Sequence, residues 1–66
     1  MATISKEMLI SEVLDTDQRV VPVLLNAGMH CLGFPSHQFE SLEEACAVHG
    51  IDVDALITEL NNTINA

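Results

Sequence analysis

Two cysteines and three histidines carry the reactive chemistry available to this 66-residue chain. Cys31 sits between His30 and His37 in the stretch "GMHCLGFPSH", residues 28–37, and Cys46 and His49 follow in "EEACAVHG". A thiol acts as nucleophile or metal ligand only as its thiolate, which a helix N-terminus, a nearby cation or a metal must favour. Ten acidic residues against Lys6 and Arg19 give a net charge of −8, and like charge raises a thiol pKa. His30 and His37 are the local groups able to offset it. Phe34 stands three residues after Cys31, where a redox or metal motif would place a second sulfur. Met29 and Phe34 flank the thiol with apolar bulk, either as pins of the loop to the core or as the centre of a partner-binding patch. Cys31 itself has two readings of equal weight: a reactive or partner-contacting thiol, or a small hydrophobe filling a turn.

Cys46 falls on the same helical face as Leu42, and free cysteine is among the most often buried residue types, so core is the better reading. A Cys31–Cys46 disulfide would close a loop of about 15 residues and add about 3 kcal/mol on the chain-entropy model. Cys31, His30 and His37, joined by Cys46 and His49, supply ligand types for zinc or iron. Their spacing is not the tight pairing of structural zinc sites, and the sequence names no cofactor. His49 has a simpler role beside Gly50, where its ring meets the negative end of a helix dipole.

The totals narrow the function classes. No Lys/Arg cluster exists to hold phosphate backbones, which argues against nucleic acid and anionic membranes. No apolar run approaches the roughly 20 residues of a membrane span. The start "MATISKEMLI" lacks the basic and long apolar regions of a secretion signal, so a reducing cytoplasm with free thiols is expected. Catalysis finds little support: there is no Ser–His–Asp or Cys–His–Asn arrangement and no phosphate loop. So short a chain also leaves little room for a ligand pocket of ~300–1,000 Å³.

The elements that must position these residues read as helices. With 48% hydrophobic residues but only Phe34 and Phe39 as aromatics, the core must be aliphatic. Residues 1–10 read as an extended lead-in burying Ile4, Met8 and Ile10 by alternation. Ser11 reads as the N-cap of a first helix, "SEVLDTD", with Glu12 in its first turn. Asp17 caps a second, "QRVVPVLLNA", regular from about Pro22 and stopped by a left-handed Gly28. "SLEE" at 41–44 is a capping box opening a third helix, with Leu42, Ala45, Cys46 and His49 near one face and Gly50 as its stop. Asp52 caps the last, whose stripe is Val53, Leu56, Ile57, Leu60 and Ile64. The expected fold is all-α: one domain over residues 1–66, a compact bundle of four short helices with the Cys31 loop between the second and third.

"VLLNAGMHCLG" followed by "FESLEEACAVHGIDVDALITELN" resembles the hybrid-cluster-protein-associated redox disulfide domain family, a small domain otherwise described as of unknown function. The match runs from "ISEVL" to the final "ELN". More distantly, the chain is similar to the N-terminal domain of the di-iron iron–sulfur-cluster repair proteins, where paired cysteines precede a similar "SLEEAC" helix. The family pattern Gly-Met-His-Cys-x-x-Cys-Pro falls on Gly28, Met29, His30, Cys31 and Pro35, with Phe34 in place of the second cysteine. The resemblance implies anaerobic or nitrosative redox metabolism. An accessory domain would meet a larger iron–sulfur or redox protein through the Cys31 loop. A thiol carrier or cluster-binding domain would instead complete its pair with Cys46 or in a homo-oligomer.

Overall fold

Apolar residues at helical spacing need partners for their faces. The computed structural model, which describes residues 3–29 and 39–66, resolves them into four helices. These are α1 (Ile10–Thr16), α2 (Val20–Asn26), α3 (Leu42–His49) and α4 (Val53–Ile64). The segment carrying Cys31 joins α2 to α3, as expected, and no strand occurs among the described residues. The core is aliphatic: Ile4, Ile10, Val13, Val20, Leu24, Met29, Leu42, Leu56 and Leu60 are buried together with Ala45 and Cys46. The α4 stripe holds as read, with Leu56, Leu60 and Ile64 buried and Val53 and Ile57 packed against them.

The starts of α1 and α3 are paired. Leu9 and Ser41, their two N-caps, form an isolated antiparallel bridge. The N–H of Ile10 donates to the Glu40 carbonyl at 2.9 Å, and that of Leu42 donates to the Met8 carbonyl at 2.8 Å. Each helix therefore has its first orphan amide satisfied by the residue preceding the other helix's cap. Glu43 extends the pairing to the Lys6 carbonyl at 3.0 Å. This pairing explains one departure from the sequence reading. The N-cap of α1 is Leu9, not Ser11: the backbone bridge makes an acceptor side chain dispensable there, and Glu12 Oε1 accepts the Leu9 N–H at 2.9 Å.

The lead-in departs too. Ile4 and Ile10 are buried and Met8 half-buried, but the chain turns between them, with the Met8 N–H on the Ser5 carbonyl, so the burial is not strand alternation. Asn61 fixes the lead-in to α4. Its amide accepts the Ile4 N–H at 2.7 Å and donates to the Ile4 carbonyl at 3.0 Å.

At α2 the cap position belongs to Arg19, while Asp17 acts two residues earlier and accepts the Arg19 N–H at 2.9 Å. The helix starts at Val20, ahead of Pro22, which lies in the first turn where its missing N–H costs nothing. Gly28 has the positive φ, 107°, read for it. The Met29 N–H reaches the Leu24 carbonyl and the Gly28 N–H reaches that of Leu25, both at 3.1 Å, closing a Schellman motif.

The capping box of α3 is present in full. Ser41 Oγ accepts the Glu44 N–H at 3.1 Å, and Glu44 Oε1 accepts the Ser41 N–H at 3.0 Å. Hydrogen bonding of the carboxylate by the Ser41 backbone N–H first, and by the Ser41 side chain second, holds the Glu44 carboxyl below its ordinary pKa. Gly50 ends the helix in the left-handed region at φ 68°, and His49 lies exposed in the last turn beside it, the position read for it at the helix's negative end. Asp52 Oδ1 caps α4 through the amides of Asp54 and Ala55, as read. Replacing Ser41 with Ala should lower stability by ~1 kcal/mol, because a first-turn amide loses its acceptor. Urea denaturation with an unchanged m-value is the check.

Candidate functional site

The site read from sequence centres on Cys31, and the structure describes its two approaches. On the α2 side the Schellman closure delivers Met29 into the core, 1% exposed, against the same cluster as Leu24. Met29 is thus a core pin of the loop and not the centre of an exposed patch. On the α3 side the Glu40 carbonyl is held by Ile10, while Phe39 just before it is 77% exposed. His30, Cys31, Phe34 and His37 lie outside the described residues, and with them the candidate metal ligands.

Cys46 is a free thiol buried at 1% exposure on the inner face of α3, beside Leu42 and Ala45. Burial first, and the negative charge of Asp52 second, push its pKa up from the ordinary value. Both effects favour the protonated form, which packs and does not attack. Among the described residues, no three His, Cys, Asp or Glu side chains are grouped to hold a metal ion. No described helix is long and apolar enough to cross a membrane.

Two features escaped the sequence reading. Arg19 Nη2 donates to Asp17 Oδ2 at 2.9 Å and to the Ile64 carbonyl at 3.0 Å, so one cation closes the α1–α2 turn and caps the C-terminus of α4. The Asp17–Arg19 spacing was the available signal; the reach to residue 64, 45 positions away, has none. The second feature is room on the surface. A hollow of about 630 Å³ lies between Arg19 and the outer side of α4, and one of about 200 Å³ lies between Ala27 and the start of α4. The larger falls within the volume range of ligand pockets, contrary to the sequence expectation, but it is an open surface groove and no enclosed cavity.

Helix order, the single long connection after α2 and the aliphatic core define a small all-α bundle. The chain belongs to the family described as a domain of unknown function, DUF1858, whose pattern matches residues 4–57. A solution structure of a protein from Clostridium thermocellum, solved by NMR as a structural-genomics target, is similar in sequence and fold. It is 52% identical, with 97% of this chain and 91% of that one covered and a TM-score of 0.84. No curated protein matches the chain.

The Cys46 environment carries a prediction. In a Cys31→Ser variant, a thiol reagent at neutral pH should label Cys46 only as fast as the chain opens. Because the folded pKa is raised, this thiol's contribution to stability is complete below its unfolded pKa and is lost as pH rises through the folded value. Labelling that matches a free thiol in native buffer would contradict the burial.

Proposed function

We propose that the chain is a non-catalytic accessory domain of anaerobic or nitrosative redox metabolism, contacting a larger iron–sulfur or redox protein through the Cys31 segment. The observation that carries this reading is the bracketing of that segment. Residues 24–29 and 40–42 are tied into the scaffold by backbone hydrogen bonds, while the other cysteine is sealed in the core as a protonated thiol. The chemistry is thereby concentrated in one stretch between two fixed ends. The resemblance to the hybrid-cluster-associated and cluster-repair families supplies the metabolic setting, and a cytoplasmic location goes with that setting. The second reading, a thiol carrier or cluster-binding domain, draws on the same segment. With Phe34 in the second position and Cys46 buried, its partner sulfur would come from a second chain.

One experiment separates the two. Protein purified without oxygen is assayed for metal and free thiols, then mildly oxidised and weighed. The accessory reading expects no stoichiometric metal, two free thiols per chain and an unchanged mass. A doubled mass marks loss of two protons and two electrons from two Cys31 thiols as an intermolecular disulfide forms. A mass lower by two protons within the monomer implicates Cys46. Stoichiometric iron or zinc supports the metal reading.

The Phe34→Cys variant addresses the ancestry of the segment. It is expected to fold and to titrate as a dithiol with a measurable reduction potential, since C-x-x-C pairs form reducible disulfides. A folded variant whose disulfide never closes would show that this segment no longer has redox geometry.

A further inference from the structure

The outer side of α4 carries a groove that the Cys31 reading does not use. The two hollows described above share Ala55 and Glu59, so they form one trough running beside α4 from Ala27 to Arg19. Ala55, Glu59 and Asn62 recur along α4 at i, i+4 and i+7, with Ala66 just beyond the helix end, and all are exposed. That spacing is a helix-packing row, and Ala55, the small residue within it, leaves room for a second helix to approach.

Charge decides what kind of helix fits. Asp52 and Glu59 lie on the trough, and Arg19 at its far end is already neutralised by the two oxygens of Asp17 and engaged by the Ile64 carbonyl. The Glu59 carboxylate makes no hydrogen bond or ion pair among the described residues. The field of the trough is therefore negative, on a chain whose net charge is −8. A second copy would bring another −8 onto the same face, which argues against self-association there.

We propose that this trough docks an amphipathic helix of a partner protein, small or apolar on the side facing Ala55 and bearing Lys or Arg opposite Glu59 and Asp52. The mode is helix-in-groove recognition with electrostatic steering. It is independent of the Cys31 segment, so either can fail without the other.

The test uses the full chain, labelled with ¹⁵N, and an 18-residue helical peptide of Leu, Ala and Lys, with a Glu-for-Lys peptide as its counterpart. The Lys peptide is expected to shift the amide resonances of Ala27, Ala55, Glu59 and Asn62, and the Glu peptide to leave them unmoved. Ala55→Arg, an exposed helical position that accepts Arg without strain, should weaken binding about tenfold or more by placing bulk and like charge in the row. Glu59→Gln should weaken it about threefold, the scale of one exposed ion pair. Shifts confined to α3 or to residues 3–9, equal binding of both peptides, or an unaffected Ala55→Arg would each overturn the proposal. Concentration-dependent dimerisation of the free chain that Ala55→Arg abolishes would overturn it too, by assigning the trough to a second copy.

Discussion

The bridge between Leu9 and Ser41 is the constraint on which the other elements depend. A helix of seven or eight residues is marginal alone, since nucleation fixes several residues for one hydrogen bond. Here α1 and α3 begin at one point, and each satisfies the other's first amide through the Glu40 and Met8 carbonyls. That exchange fixes the two helix starts against each other through backbone alone. It sets Ile10 and Val13 against Leu42, Ala45 and Cys46 in one core. The remaining two helices are fastened by side chains that reach backbone: Asn61 grips both polar groups of Ile4, and Arg19 spans from Asp17 to the end of α4. In a domain with so little buried surface, such ties do work that a larger core would do elsewhere.

The local features were legible in the residues. "SLEE" contains both halves of a reciprocal cap, Asp52 stands before an amphipathic run, and Gly28 and Gly50 follow the last apolar turns. Each is a statement about neighbours within four positions, where sequence and contact coincide. The misread starts have the opposite character. Ser11 has the chemistry of a cap, but the cap at Leu9 is a backbone partnership with residues over 30 positions away, to which side-chain type is blind. Asp17, read as the cap of α2, stands two residues ahead of the cap position, because its carboxylate serves the Arg19 amide and guanidinium together. His49 follows the helical period of Leu42 and Cys46 but falls past the end of the core.

The candidate site was legible to a smaller degree. Met29 could be read as pin or patch, and only the Schellman closure at Leu24 decides for the pin. Cys46 was correctly given to the core, and its raised pKa follows from that position and from Asp52. The groove beside α4 has no sequence signal, since Ala55, Asn62 and Thr63 form no motif and lie off the apolar stripe of Leu56, Leu60 and Ile64. Family membership adds a shared fold, and the Clostridium thermocellum structure extends that fold to a chain differing at nearly half its positions.

The paired helix starts also bear on how the chain acquires its shape. Leu9 and Ser41 are separated by α2 and the Cys31 segment, so neither α1 nor α3 gains its shared amide bonds until that intervening stretch has closed on itself. Closure entropy grows only as the logarithm of loop length, so a longer or shorter connection changes the cost slightly. What it cannot change is the dependence itself: the exchanged bonds add to the local caps of each helix only once the ring is closed. With the chain open between Leu9 and Ser41, both helix starts lack these amide partners at once, so α1 and α3 gain or lose that support together.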